Sequence, residues 1–168
     1  NIGSKNDIAA DDISSLTPHA VSELSADQLS GLKPSAVKDF SADQISELSY
    51  KAVSALSAKQ VKNLSADAVA GLTISQVPRI SPKAVKGFTA EQIKNLPIGA
   101  FMALESNQLV QLSKNAVKGL TCLQSNALIG EKLSALKPAQ IKAIDPDIVS
   151  CLLPPALNAL SKSQIKAF

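Results

Sequence analysis

Residues 41–48 read Ser-Ala-Asp-Gln-Ile-Ser-Glu-Leu, and the whole chain is built on this octapeptide pattern. An apolar residue recurs every eight positions on both sides of Leu48 without any insertion, so the 168 residues form 21 units. We letter the positions of a unit a to h, with the recurring Leu, Ile or Phe at h. Position h is apolar in all 21 units, and position e is Val, Ile, Leu or Phe in 19, the exceptions being Lys5 and Ser125. A fixed internal period indicates a repeat architecture.

Position d adds a second period, of two units, because it alternates between Ala and Gln from Ala20 to Gln124 and loses this rhythm at Lys132 and Ile148. The Gln units usually begin Ser/Thr-x-x-Gln, which is the helix capping box. The hydroxyl accepts a hydrogen bond from the backbone N–H of Gln, and the side chain of Gln accepts one from the backbone N–H of Ser or Thr. The pairs are Ser25 and Gln28, Ser41 and Gln44, Ser57 and Gln60, Thr73 and Gln76, Thr89 and Gln92, and Thr121 and Gln124.

Several other units place Pro directly after position a, as in Thr17-Pro18 and Ser81-Pro82. Proline suits the first position of a helix, where its missing N–H has no intrahelical partner. One continuous helix is excluded, because eight residues at about 100° each would carry the apolar stripe around the whole surface. A strand is excluded as well, because positions e and h are three apart and Ala, Lys, Gln and Leu favour helices. Each unit therefore predicts a capped helix of about six residues, running from b to h.

Such short helices are unstable alone and need neighbours. We therefore predict an all-α solenoid over residues 1–168, one very short helix per unit, in which the e and h side chains point to a common axis. Lysines that recur in every third unit suggest three units per superhelical turn. Cys122 and Cys151, if they are bonded across adjacent turns, suggest between three and four. We expect irregular repeats from about residue 121 to residue 160, where the types of residue at a, d and e change.

Composition argues against catalysis. The chain has one His, two Cys, 3% aromatic residues and no Trp, which leaves little material for a metal cluster or a catalytic dyad. His19 lies at a variable position beside a cap, so we predict that its side chain is exposed. We expect no enzyme activity, no metal and no cofactor. Sixteen of the 17 basic residues are Lys and only Arg79 is Arg, which argues against nucleic acid, and the sequence has no apolar run long enough to span a membrane.

Three features remain as candidate sites. The two cysteines are either buried free thiols or a disulfide, which would imply an oxidising compartment. The triplet Asn63-Leu64-Ser65 fits an N-glycosylation sequon. The lysines at position f are either a solvated face or a track for an anionic partner; they are Lys38, Lys62 and Lys86 in one row, and Lys94, Lys118, Lys142 and Lys166 in another.

Units such as Ser41-Ala-Asp-Gln-Ile-Ser-Glu-Leu48 and Thr89-Ala-Glu-Gln-Ile-Lys-Asn-Leu96 resemble the octapeptide helical repeats of very large bacterial surface proteins, often labelled adhesins. They are also similar to the superhelical repeats of the mesothelin, stereocilin and otoancorin group, although the period here is more regular. The resemblance covers nearly the whole chain in rhythm. It implies an extracellular or cell-surface location and a non-catalytic role in adhesion or assembly.

These observations together favour a structural protein, a rod- or coil-like segment of a secreted or surface-displayed molecule, such as a filament or matrix subunit. Such a segment is expected to associate with itself or with other surface or matrix proteins. The chain begins at Asn1 rather than at Met, so we expect a processed product or an excerpt of a longer array. The alternative is a binding module that holds a peptide or an anionic glycan on the solenoid surface.

Overall fold

The computed structural model describes residues 10–168, and in that range it consists of short helices joined by tight connections. Each repeat unit there contributes one helix, which is an α-helix in 18 units and a 3₁₀ helix in two. The prediction of an all-helical array with one short helix per octapeptide is therefore confirmed for these residues. The first unit, residues 1–8, lies outside them.

We number the α-helices in chain order and give the two 3₁₀ helices by their ranges. The α-helices are α1 (Ala10–Ser15), α2 (Pro18–Ser22), α3 (Ala26–Gly31), α4 (Ala42–Glu47), α5 (Tyr50–Ser54), α6 (Ala58–Asn63), α7 (Ala66–Ala70), α8 (Pro82–Val85), α9 (Ala90–Asn95), α10 (Ile98–Met102), α11 (Ser106–Leu109), α12 (Lys114–Val117), α13 (Cys122–Ala127), α14 (Glu131–Ala135), α15 (Pro138–Ile141), α16 (Pro146–Val149), α17 (Pro154–Asn158) and α18 (Lys162–Ile165). The 3₁₀ helices are Val37–Asp39 and Val77–Arg79.

The α-helices other than α14 begin at position b, as the sequence predicts. At the start of α9, Thr89 has extended backbone angles of φ −98° and ψ 166°, and its Oγ1 accepts a hydrogen bond from the backbone N–H of Gln92. The backbone N–H of Thr89 in turn donates to Oε1 of Gln92 at 3.0 Å. All six predicted capping boxes are present with this geometry. Each box satisfies two amides that would otherwise lack a partner at the start of a helix.

The helices end earlier than predicted, because position h is already outside them. Leu96, which follows α9, has φ −66° and ψ 123°, and its N–H donates to the carbonyl of Ile93 three residues back. The extended residue at h turns the chain toward the next cap. In the unit of residues 73–80, Pro78 lies at position f, where it cannot donate to the carbonyl four residues back, and a 3₁₀ helix replaces the α-helix.

The core is formed by positions e and h, as predicted. Ile93 and Leu96 are 0% and 3% exposed, and the buried apolar cluster extends from Ile13 to Leu160. Each such side chain contributes about 1.5–3 kcal/mol when it is fully buried. Ser125, an exception at position e, is buried too, and its hydroxyl donates to the carbonyl of Cys122 at 2.9 Å.

Helices three units apart pack against each other, so α4 contacts α7, α7 contacts α9, and α9 contacts α12. Hydrogen bonds between side chain and backbone additionally join units four apart, as between Gln92 and Val61. The contacts thus join units three and four apart, and the expected three to four repeats per superhelical turn stay a prediction.

The most regular long-range contact is a glutamine clamp, which we define as a position-d Gln whose Nε2 donates to the e and h backbone carbonyls of the unit four repeats earlier. Nε2 of Gln92, for example, donates to the carbonyls of Val61 and Leu64, both at 2.7 Å. The clamp residues, all buried, are Gln44, Gln60, Gln76, Gln92, Gln108, Gln124, Gln140 and Gln164.

A second contact pairs position b of one unit with position g of the unit three repeats later. Glycine occupies g where the approach is closest: a Cβ on Gly119 would lie 1.9 Å from the backbone oxygen of Ala90, and one on Gly87 would lie 2.0 Å from that of Ala58. At the equivalent pair of Tyr50 and Arg79, the guanidinium carbon lies 5.8 Å from the ring centroid. We call this line of contacts the b/g seam.

Replacing Gln92 by Glu should destabilise the fold by about 1–3 kcal/mol, because the carboxylate keeps the side-chain shape but cannot donate. The carbonyl of Val61 keeps the N–H of Leu64, whereas the carbonyl of Leu64 loses the donor that Gln92 supplies. Gln28→Glu is the matched control, because Gln28 forms the same capping box and its Nε2 clamps no carbonyl within residues 10–168. Urea unfolding followed by circular dichroism measures both variants. An equal loss in the two would show that Gln92 acts only as a cap.

Gly119→Ala should lower the free energy of unfolding by about 1–3 kcal/mol, because the new methyl group meets backbone atoms that cannot move aside cheaply. Gly99→Ala is the control. The Cβ of residue 99 would meet only the flexible side chain of Ile74, at 3.1 Å, and alanine favours the helix. Thermal unfolding should therefore separate the two variants; similar melting temperatures would contradict the close b/g approach.

Candidate functional site

The second lysine row lies on adjacent layers of the solenoid. Lys94, Lys118 and Lys142 occupy position f of units three apart, and all three side chains are exposed. Since α9 contacts α12 and α12 contacts α15, the three lysines follow one another along stacked helices. They line two neighbouring grooves that share Lys118.

The first groove, of about 400 Å³, has mixed charge. Lys94 and Lys118 line it together with Asp145 and Asp147, so the basic side chains face carboxylates in the same depression. Asp145 is also the cap of α16, where its Oδ1 accepts from the N–H of Asp147 at 2.9 Å. Cys122 lies in the wall of this groove.

The second groove, of about 380 Å³, carries basic charge alone. Its lining contains the lysines Lys114, Lys118 and Lys142, and its remaining residues are Asn115, Ala139 and Ala143. Lys114 stands at position b and so falls outside the row at position f that sequence reasoning singled out. The spacing of three and a half units between Lys114 and Lys142 lies between the three-unit and four-unit spacings of the observed contacts and could have indicated their proximity.

The other lysines of the two predicted rows are exposed but line neither groove. Lys166 extends the second row, and Lys38, Lys62 and Lys86 form the first row at the same position f. The structure thus brings Lys94, Lys118 and Lys142 together with Lys114.

Cys122 and Cys151 form a disulfide, with their Cα atoms 5.4 Å apart. Cys122 is the b residue that opens α13, and Cys151 is the g residue that follows α16, so the bond lies on the b/g seam. It joins two packed layers, since α13 contacts α16. The Cys122 side chain is exposed and that of Cys151 half-buried, which makes the bond accessible from the first groove.

The remaining candidates lie singly on the surface. Asn63 is exposed at the end of α6, and its Nδ2 donates to the carbonyl of Lys59 at 2.8 Å. The Oγ of Ser65, the third sequon residue, accepts from the N–H of Ala68 as the cap of α7. His19 is exposed in α2. N-glycosylation at Asn63 stays a prediction.

The part of the chain that the structure describes contains no group of three or more His, Cys, Asp or Glu side chains placed to hold a metal ion. Within residues 10–168, no helix combines the length and the apolar character that crossing a bilayer requires. What the grooves offer chemically is electrostatic attraction from flexible ammonium groups, each of which presents three hydrogen-bond donors to an anion.

No family model matches the chain, and no curated protein matches it significantly. The similarity to octapeptide repeats of bacterial surface proteins and to the mesothelin group therefore stays a prediction from the residues alone.

Proposed function

We propose that this chain is a non-catalytic structural segment, a rod- or coil-like array of a secreted or surface-displayed protein that serves in assembly. The observation that carries the proposal is the recurrence of the same two fastenings, the glutamine clamp and the b/g seam, along one continuous core. Repetition of one interface suits a spacer, because the stability of the array grows with each added layer.

A disulfide between layers supports the secreted location, because such bonds persist in oxidising compartments. The buried positions are filled by apolar residues, the clamp glutamines and Ser125, and the charged residues of the described chain lie outside this buried set. This distribution suits a stiff scaffold better than a catalytic pocket, which needs converging polar groups in a deep cleft.

Self-association is proposed to use the apolar face near residue 168. Leu157, Ile165 and Phe168 are 40%, 55% and 53% exposed, although they stand at positions e and h, which are buried or half-buried in the rest of the described array. A further layer of the same repeat would cover these side chains just as successive layers cover each other. For the segment of residues 1–168 taken by itself, we propose that a second copy packs on this face.

The double variant Ile165→Glu, Phe168→Glu should raise the dissociation constant of self-association by about tenfold or more, because it places charge on an apolar contact. Sedimentation velocity over a concentration series measures this constant, and negative-stain electron microscopy shows whether particles join end to end.

The matched control is Leu123→Glu with Ile74→Glu, since these side chains are 64% and 63% exposed at positions outside e and h. The control should associate like the unaltered chain. Compact, isolated particles of the unaltered chain at every concentration would contradict the assembly role, and so would equal effects of the two double variants.

A second candidate function is favoured by the all-basic second groove: binding of an anionic glycan along Lys114, Lys118 and Lys142. Three ammonium groups around one depression, with no carboxylate in its lining, raise the local concentration of an anionic partner. Lysine at successive layers would meet successive charges of a linear polymer.

Lys118→Glu with Lys142→Glu should weaken binding of heparin, used as a sulfated glycan probe, by about tenfold, because each replacement removes one exposed attraction and adds one repulsion. The control is Lys38→Glu with Lys62→Glu. Both double variants change the net charge from +3 to −1, because each replacement removes one positive charge and adds one negative. Isothermal titration at two salt concentrations measures the affinity for heparin. Equal losses of affinity in the two double variants would rule out a site at this groove.

A further inference from the structure

The series of glutamine clamps has a gap in the irregular part of the array. Clamp residues recur in every second unit from Gln44 to Gln140, and the next position in this series is Ala156, which is fully buried. By the spacing of the other clamps, a Gln there would donate to the carbonyls of Ser125 and Leu128. The series resumes only at Gln164, which clamps the carbonyls of Leu133 and Leu136.

The backbone at this gap differs from the other unit junctions. Leu128, at position h, has φ −80° and ψ 77°, whereas Leu136 in the next unit has the extended angles −67° and 135° that are usual at h. Gly130 follows with a positive φ of 57°, and α14 begins at position c rather than b. The carbonyl of Leu128 therefore lies in a connection that lacks both the usual clamp and the usual geometry.

The disulfide lies at the same layer junction. A Gln at position 156 would fasten the unit of α17 to the unit of α13, and the Cys122–Cys151 bond fastens the unit of α16 to that same unit. On either side the glutamine clamps are intact, since Gln140 holds the carbonyls of Leu109 and Leu112. The covalent bond therefore stands where the hydrogen-bonded fastening is missing.

We propose that the Cys122–Cys151 disulfide replaces the absent glutamine clamp and is a thiol-exchange site whose reduction releases α16 and α17 from α13. Neighbouring helices stay fastened, because α15 is held through Gln140 and α18 through Gln164. The released segment is residues 145–160. A disulfide of this kind makes one defined segment of the array sensitive to reductant.

The first groove gives the reductant access to the bond. Cys122 is exposed in its wall, and Lys94 and Lys118 line the same depression, where they attract a thiolate, while Asp145 and Asp147 oppose it. One thiolate of a dithiol attacks a cystine sulfur, forms a mixed disulfide and expels the other cysteine as a thiolate, which takes up a proton. The second thiol of the reductant then displaces the remaining cysteine. The cystine gains two electrons and two protons, and the dithiol becomes a disulfide.

Hydrogen exchange of the full chain, with and without dithiothreitol, tests the proposal. Reduction should accelerate amide exchange in α16 and α17 by about 100-fold, as expected for the loss of a stabilising cross-link, and leave α4 to α9 unchanged. A thiol count under denaturing conditions should give no free thiol before reduction and two after it. Uniform acceleration along the chain, unchanged exchange in α16 and α17, or two free thiols at the outset would each overturn the proposal.

Restoring a glutamine clamp tests whether the disulfide replaces the clamp or only stabilises the fold in general. Cys122→Ser with Cys151→Ser should reproduce the fast exchange of the reduced protein, and adding Ala156→Gln should return protection to α16 and α17 by at least about tenfold. Slow exchange in the Cys double variant, or fast exchange that a folded triple variant does not reverse, would refute the idea.

A reciprocal experiment covers the case in which Ala156→Gln disturbs the buried position. Gln60 clamps the unit of α3. Ala26 in α3 and Ala55, which directly follows α5, are the equivalent b/g pair, and these two helices are in contact. Gln60→Ala should accelerate exchange in α3, and Ala26→Cys with Ala55→Cys in that background should reverse the effect only when oxidised. Equal exchange in the oxidised and reduced forms would refute the equivalence of clamp and disulfide.

Discussion

The side-chain amide of each clamp glutamine joins two layers of this solenoid by hydrogen bonds, in addition to the apolar core and the b/g seam. Each clamp Gln uses Oε1 to cap its own helix and Nε2 to satisfy two carbonyls four units earlier, as Gln92 does for Thr89, Val61 and Leu64. All its donors and its acceptor are thereby used in a buried place, where an unpaired polar group would be costly. The same side chain thus sets where a helix begins and which layer it lies on.

This double use accounts for the tolerance of the array to very short helices. A helix of six residues forms few internal hydrogen bonds and needs external partners for its ends. The Ser or Thr cap and the Gln serve the start, and the clamp serves the carbonyls at the end of a helix one layer away. Where the clamp is absent, at Ala156, a covalent bond between Cys122 and Cys151 joins the same junction. A scaffold built this way stays stable by repetition, which agrees with the proposed structural role.

Sequence reasoning predicted the elements better than the contacts between them. The cap at Thr89 and the apolar pair Ile93 and Leu96 are local patterns, and the helix and core formed from them follow from 3.6-residue periodicity. The clamp of Gln92 was missed, because a partner four units away leaves no trace within one unit. The alternation of Ala and Gln at position d was its visible signal, since a cap alone does not require Gln in every second unit. For the same reason the basic groove at Lys114 was not foreseen.

The sequence by itself determined the period, the capped helix in each unit and the apolar side chains that become buried, because these depend on neighbours within one octapeptide. The tertiary structure decided which units meet. The meeting of units in turn determines which carbonyls accept hydrogen bonds from Gln, where a side chain larger than Gly does not fit, and whether Cys122 reaches Cys151. Those outcomes depend on how far one layer is displaced from the next. That displacement results from the packing of all side chains between layers and is encoded in no single octapeptide.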